Sequence, residues 1–176
     1  MITYEEAERL LEEKGCSEDI IEHCKRVSEK ADEIAEKIIV GGHNVNVALV
    51  RIGGVLHDIG RCKTNDVSHG VEGGKIVRAM GEEELARIVE RHVGGGIKDG
   101  EVEGFPKKDF LPVTLEEKIV CYADKLIEEL PDGSIKENED ASQEIAKLEK
   151  KFGKEHVVPQ RMRKIQEEMK KLLGKD

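Results

Sequence analysis

The stretch VNVALVRIGGVLHDIG, residues 45–60, decides the fold of this chain. Its first part, residues 45–56, is apolar on nearly every side, which is typical of a helix buried at the centre of a domain. Asn44 is predicted to cap this central helix. Gly53 and Gly54 each cost about 1 kcal/mol of helix propensity against alanine, so they indicate close packing against a neighbouring helix.

A histidine and an aspartate, His57 and Asp58, follow directly at the end of this helix. Buried aspartates are rare unless they are paired or bound to a metal ion. Side chains at adjacent helix positions diverge by about 100°, so these two can share one ion only at the helix edge, with the other ligands on other helices. His23 and Asp124 are suitable donors, because each lies on a predicted helix.

Helical spacing of apolar residues continues along the rest of the chain. Thr3 and Glu6 predict a capping box for a first helix that ends at Gly15. Apolar residues then recur every third or fourth position from Ser17 to about Ile39. Further helices are predicted at residues 68–80, 82–92, 114–129, 141–152 and 159–173, and no strand pattern is evident. The sequence therefore predicts an all-α chain.

One long segment between two predicted helices, residues 94–113, is rich in Gly, Pro and Lys. It is predicted to be a loop, and loops of this length often form a lid or one wall of a binding site. A shorter polar loop is predicted at residues 60–67.

The composition limits the class of partner. The 176 residues fit one domain spanning 1–176, and the formal net charge of −9 disfavours a surface for long nucleic acid. A small phosphorylated ligand such as a nucleotide is compatible, since bound metal ions can supply positive charge. Four cysteines without CxxC spacing and no recognisable secretory signal predict a cytoplasmic protein with reduced thiols. No membrane partner is expected, because no apolar stretch approaches roughly 20 residues. The oligomeric state is left open.

The order of the His and Asp motifs resembles that of the HD-domain superfamily of metal-dependent phosphohydrolases. The motifs read EHCKRV, VLHDIG and CYADKL, in that order, and cover about residues 17–130. The resemblance implies a single-domain helical bundle of the HD type, with the metal site between its central helices and residues 131–176 packed on this core as C-terminal helices. The metal ligands that it implies are His23, His57, Asp58 and Asp124.

Two further histidines, His69 in SHGVEGG and His92 in RHVGG, fall between the His-Asp pair and the last aspartate. Their order is similar to that of the dinuclear branch of the superfamily, which includes hydrolases that split diadenosine polyphosphates symmetrically. Six ligands can hold two ions, and Asp58 is then the best candidate to bridge them. The alternative is that one or both histidines bind the substrate phosphate or cap a helix end. Arg61 stands where that branch usually has a lysine.

The chemistry that the resemblance implies is hydrolysis by metal-activated water. Imidazole and carboxylate ligands suit one or two divalent ions of Fe, Mn, Co, Ni or Zn. His57 and Asp58 are the predicted catalytic residues. Arg61 and Lys63 are predicted to bind the substrate phosphate or, alternatively, to lie in a solvated loop.

The predicted reaction is cleavage of a phosphomonoester or phosphoanhydride, for example of a nucleotide. The alternatives are a di-iron oxygenase of the same superfamily and a non-catalytic, metal-binding regulatory module.

Overall fold

The computed structural model describes residues 1–174, and within them eight helices carry nearly all of the regular structure. The helices are α1 (Tyr4–Glu13), α2 (Glu18–Val40), α3 (Val47–Leu56), α4 (His69–Arg78), α5 (Glu83–Arg91), α6 (Leu115–Asp124), α7 (Ser142–Phe152) and α8 (Val157–Leu172). Short 3-10 turns at Ile59–Cys62 and Val93–Gly95 follow α3 and α5. The all-α prediction is confirmed.

The central helix of the fold is α3, as its apolar sequence predicts. It contacts α1, α2, α5 and α6, and most of its side chains are buried. Its cap is Asn46 and not Asn44, because the Asn46 side chain accepts a hydrogen bond of 3.1 Å from the backbone N–H of Leu49. The two extra residues before the cap belong to the loop that follows α2.

Close packing around α3 explains the glycine pair in its sequence. A Cβ atom added at Gly54 would lie 2.7 Å from the Cα of Ser28 in α2. One added at Gly53 would lie 2.9 Å from the side chain of Ile88 in α5. Both contacts are closer than packed carbon atoms tolerate, so the predicted close approach to neighbouring helices is confirmed.

The helix predicted at residues 114–129 is too long, because α6 ends at Asp124. Residues Ile127–Glu129 form strand β1, which pairs antiparallel with β2 (Ile135–Glu137). The turn between them contains Pro131-Asp132-Gly133, a turn signature, and the backbone N–H of Leu130 donates to the Ser134 carbonyl at 2.8 Å. The expectation that the chain has no strands is therefore wrong at this one hairpin.

The long segment at residues 94–113 is held in place by backbone and side-chain contacts. Ile97 and Phe110 form an isolated antiparallel bridge. Both side chains are buried with Val71 in a small apolar cluster separate from the main core. The bridge between Ile97 and Phe110 therefore holds the two ends of this loop together.

The last helix, α8, packs against α6 and the 3-10 turn at Val93–Gly95, and it also contacts α7. It buries Met162, Ile165 and Met169 and begins at Val157, before the predicted start at residue 159. The helix is two residues longer there because the His156 side chain caps it by accepting a hydrogen bond from the Val158 N–H. Among residues 1–174, no helix combines the length and apolar content that a bilayer crossing requires.

Candidate metal centre

The six His and Asp residues that the sequence singles out meet at one place. They come from five segments: the second turn of α2, the end of α3, the start of α4, the end of α5 and the end of α6. In that order they are His23, His57 with Asp58, His69, His92 and Asp124. Four of the six are at most 5% exposed to solvent. The fold therefore buries a cluster of metal-ligating groups between its central helices.

One half of the cluster forms around Asp124. Its Oδ1 lies 3.2 Å from the Nε2 of His23 and 3.5 Å from the Nε2 of His57. The Oδ2 of Asp58 lies 3.6 Å from the same His57 nitrogen and 4.0 Å from that of His23. The Nε2 atoms of His23 and His57 and the carboxylates of Asp58 and Asp124 thus surround a space about the size of a single ion.

The other half forms around the second oxygen of Asp58. Its Oδ1 lies 3.2 Å from the Nε2 of His69 and 3.4 Å from the Nε2 of His92. Asp58 therefore presents one oxygen to each half of the cluster.

Three of the four rings are oriented by their own helices. In each, Nδ1 lies 2.7 Å from the carbonyl oxygen of the residue three positions earlier. A carbonyl oxygen only accepts, so Nδ1 donates the proton in each pair and Nε2 is the ring nitrogen that faces the centre of the cluster. Metal-binding histidines are commonly fixed in this way. The ring and carbonyl pairs are His57 with Gly54, His69 with Asp66, and His92 with Val89.

Burial and the charges of neighbouring groups set the pKa values of the residues in the cluster. Burial lowers the pKa of His92 to about 4, so that ring is neutral near pH 7. Burial alone would raise the pKa of Asp58, but His57, His69 and His92 together outweigh burial and hold that pKa well below its ordinary value. Burial would also raise the pKa of Asp124, but the charge of Lys125 together with His23 and His57 outweighs burial and holds that pKa well below its ordinary value. Both carboxylates are ionised at neutral pH.

Two features show that these residues fit a divalent cation. The Nε2 of His57 is buried at the centre of the cluster without a hydrogen-bond partner among the described residues. The Nε2 atoms of His69 and His92 lie only 3.1 Å apart, although both present lone pairs. Such lone pairs repel each other unless a proton or a cation lies between them. The six groups form three overlapping sets of three possible ligands, and their mixture of nitrogen and oxygen suits borderline divalent ions.

The cluster opens onto a cavity of about 350 Å³. Arg61 lies at this cavity, and its Nη1 is 3.1 Å from the Oδ2 of Asp58 and 3.4 Å from the Oε1 of Glu129. Lys63 does not line this cavity. It borders a separate depression with Lys14 and other residues of α1 and α4, because residues two apart in a 3-10 turn point in different directions.

The sequence prediction missed one wall of the cavity. The hairpin after α6 and the first turns of α7 contribute polar residues at the cavity: Glu128, Glu129, Asn138, Glu144 and Lys147. The helix predicted to run to residue 129 would have carried Glu128 and Glu129 elsewhere, and no motif marked Asn138, Glu144 or Lys147 as site residues. The Pro-Asp-Gly turn at residues 131–133 is the signal that identifies the hairpin.

Comparison with known proteins identifies the family. The model of the HD domain matches residues 20–129, which include all six clustered residues. An uncharacterised protein of Methanocaldococcus jannaschii is 47% identical over 161 residues, covering 90% of this chain and 92% of that protein. No solved structure gives a significant match.

Other relatives are longer than this chain. A tRNA (cytidine(56)-2′-O)-methyltransferase of Picrophilus torridus is 35% identical over 170 residues, which is 95% of this chain and 46% of that protein. A ribonuclease Y of Thermosipho melanesiensis is 33% identical over 135 residues, or 75% of this chain and 23% of that protein. The chain thus spans less than half the length of either relative. The match to the family model, centred on the buried His and Asp cluster, shows that the chain belongs to the HD domain family.

Proposed function

We propose that this protein is a metal-dependent phosphohydrolase that cleaves a phosphomonoester or phosphoanhydride of a small substrate, with a nucleotide as the favoured class. The observation that carries the proposal is the position of Asp58, whose two oxygens face two separate groups of imidazole nitrogens. A centre of this kind can hold two ions about 3.5 to 4 Å apart, as many phosphatases do.

The proposed ligands are the six clustered residues, with one or two ions of Fe, Mn, Co, Ni or Zn. A divalent ion there supplies Lewis-acid activation of water and neutralises charge on the phosphoryl oxygens. His57 and Asp58 are the proposed catalytic residues, because they lie side by side at the end of α3 and Asp58 faces both halves of the cluster. Arg61 is the proposed phosphate-binding residue, since its guanidinium lies at the cavity within reach of Asp58. The position of Lys63 gives no support to the same role.

The favoured substrate is a small molecule and not a long nucleic acid. The net charge of −9 gives the chain no excess of Lys and Arg with which to neutralise a phosphate backbone. Two of the relatives are named for activities on RNA. Because this chain aligns with only a part of each, we propose that the shared part is the hydrolase unit and that methyl transfer belongs to the remainder of the methyltransferase.

The proposal is tested on protein purified without added metal. Elemental analysis is combined with phosphate release from a panel of nucleotides, for the natural protein and for His69→Ala, His92→Ala and His43→Ala. His43 is an exposed histidine outside the cluster and serves as the matched control. We expect about two ions per chain, fewer in the first two variants and no change in the third, with phosphate release falling in parallel.

The other outcomes separate the alternatives. Bound iron with dioxygen consumption and no phosphate release would favour the di-iron oxygenase. Bound metal without turnover of any compound in the panel would favour the regulatory module. If the metal content is the same in His69→Ala and His92→Ala as in the natural protein, only the other four clustered residues bind metal.

A further inference from the structure

A second cavity of about 490 Å³ adjoins the metal cavity. The two share three lining residues, Val93, Lys125 and Glu144, so they meet at these residues, and the two cavities together are called the cleft. The far part of the cleft lies between the loop at residues 94–102 and the α7–α8 corner. The α7–α8 corner lies outside the segment matched by the family model, residues 20–129.

The walls of this second cavity are largely apolar and open to solvent. Val67, Phe152 and Val157 line it, although they are 46%, 42% and 45% exposed. They come from two distant parts of the chain and converge on one cavity next to the metal centre. Exposed apolar groups gathered in this way are typical of a binding site, because exposing apolar surface to water is unfavourable unless a ligand covers it.

An aromatic surface is already formed at the edge of the cavity. The rings of Phe152 and His156 stack, with centroids 4.9 Å apart and planes inclined by 19°. The Nζ of Lys151 lies 5.0 Å from the centroid of the Phe152 ring. Such surfaces bind flat, aromatic groups by stacking.

Two of the cationic groups on the walls, Arg161 and Lys125, are already paired with carboxylates. Arg161 binds Glu101 through two hydrogen bonds of 2.9 and 2.7 Å. Lys125 contacts the carboxylate of Asp124 in the metal centre. An anionic group that binds Arg161 or Lys125 would therefore have to break an existing ion pair, whereas a neutral flat group would not.

We propose that the second cavity binds the nucleobase of the substrate while the phosphoryl group lies at the metal centre. The inference rests on the proposed hydrolase function and names its substrate class: a nucleotide whose base occupies the leaving-group side of the cleft. Glu144, at the junction of the two cavities, is placed to accept a hydrogen bond from a base amino group or a sugar hydroxyl. The volume of about 490 Å³ lies within the range of small-molecule pockets.

The test uses ligands without phosphate, so that it is independent of the metal centre. Binding of adenosine, guanosine, cytidine, uridine and, as a blank, ribose is measured by saturation-transfer NMR and calorimetry on the full chain. We expect at least one nucleoside to bind and ribose not to bind. Phe152→Ala should weaken binding of that nucleoside about fivefold or more, the value expected for loss of one stacking contact.

Two charge variants provide a matched pair. Val157→Asp places a carboxylate in the apolar wall, at the first position of α8, where the helix dipole tolerates it. Val113→Asp places the same charge just before the cap of α6, at an exposed residue that lines neither cavity. We expect only Val157→Asp to abolish nucleoside binding, with thermal unfolding of both close to that of the natural protein.

The outcomes distinguish this inference from the proposed function. Absence of binding by all four nucleosides, or equal loss in both charge variants, would overturn the base subsite even if phosphate is released from other compounds. The opposite outcome is also defined. If Val157→Asp abolishes nucleoside binding but no nucleotide releases phosphate, the proposed base pocket is supported and the proposed hydrolase function is contradicted.

Discussion

Gly60, the last residue of the VLHDIG motif, occupies a position that admits no side chain. Its backbone does not have a positive φ, so conformational freedom is not the reason for glycine here. A Cβ atom added at Gly60 would overlap the carbonyl oxygen of His69 and lie 2.6 Å from the backbone nitrogen of Gly73. The turn after α3 therefore packs directly against the first turn of α4.

We predict that Gly60→Ala destabilises the protein by about 1–3 kcal/mol and lowers its metal content, because the overlap must push His69 away from Asp58. The measurements are denaturant unfolding and elemental analysis. Gly53→Ala is the control, since its added methyl meets the side chain of Ile88 and not a ligand-bearing turn. Equal loss of metal in both variants would contradict this explanation.

At the scale of single residues, the sequence allowed the cluster to be predicted but not its surroundings. The six clustered residues share a chemical type and a motif order, which can be read directly. The position of Lys63 depends on the 3-10 geometry of the turn at Ile59–Cys62, and a sequence pattern does not reveal that geometry. The contact of Lys125 with Asp124 depends in the same way on where α6 ends.

At the scale of elements, the capping box of α6 also ties that helix to α5. Glu117 accepts from the backbone N–H groups of Val113 and Thr114, and both of its oxygens lie 2.9 Å from the Nη1 of Arg91. Glu117 is only 2% exposed. One carboxylate thus fixes the start of α6 against the end of α5, next to His92.

We predict that Glu117→Gln lowers the free energy of unfolding by about 2–4 kcal/mol, because it leaves the Arg91 charge without its buried partner. The control is Glu6→Gln, which changes the same capping motif in α1 at an exposed site. That variant should cost about 1 kcal/mol or less. A similar loss in both variants, measured by denaturant unfolding, would show that the contact with Arg91 contributes little.

The segment after the hairpin is tied to α8 by a carboxylate that responds to acid. Asp140 accepts from the Lys170 ammonium at 2.6 Å and from the Ser142 N–H at 2.9 Å, and these contacts lower its pKa from 3.8 to about 2. A pKa that is lower in the folded state than in the unfolded state stabilises the fold at pH values above the unfolded-state pKa. That contribution is lost as pH falls from about 4 through about 2.

We therefore predict that Asp140→Asn reduces stability by about 1 kcal/mol at pH 6 and by progressively less as pH falls toward 2. The figure is small because the carboxylate is 29% exposed and water screens the pair. Asp132→Asn is the control, since Asp132 accepts from Ser134 in the same way but has no lysine partner among the described residues. A pH-independent difference between Asp140→Asn and the natural protein would refute the assignment.

Element boundaries show why part of the fold was not predicted. The long helices carry apolar residues at helical spacing, and their positions follow from that spacing within a few residues. The hairpin at Ile127–Glu137 has strands of only three residues each, which is too short for an alternating pattern to stand out. Its existence depends on the Pro-Asp-Gly turn and on packing against α2, and the second of these is a tertiary effect.

At the scale of the whole molecule, the metal centre joins elements that are far apart in sequence. Its ligands lie on or beside α2, α3, α4, α5 and α6, so a bound ion contacts most of the fold at once. We predict that removal of metal by a chelator lowers the unfolding temperature and that adding back the divalent ion restores it. An ion present at a hundred times its dissociation constant contributes about 2.7 kcal/mol.

The variant Asp124→Asn should weaken this response to metal, and His43→Ala should leave it unchanged. The measurement is thermal unfolding at several metal concentrations. An unfolding temperature that is the same with and without metal would indicate that the cluster binds no ion in its folded state.

The two halves of the cluster also differ in when they can form during folding. Asp58, His69 and His92 lie close together in sequence, whereas the contact between His23 and Asp124 spans 101 residues. Closing a long stretch of chain costs more entropy than closing a short one, so the distant pair is expected to form later. On the ribosome, the half built on His69 and His92 can assemble once α5 has emerged, while the half built on Asp124 must wait for α6. If the proposed centre holds two ions, their binding to a newly made chain would therefore follow the order of synthesis.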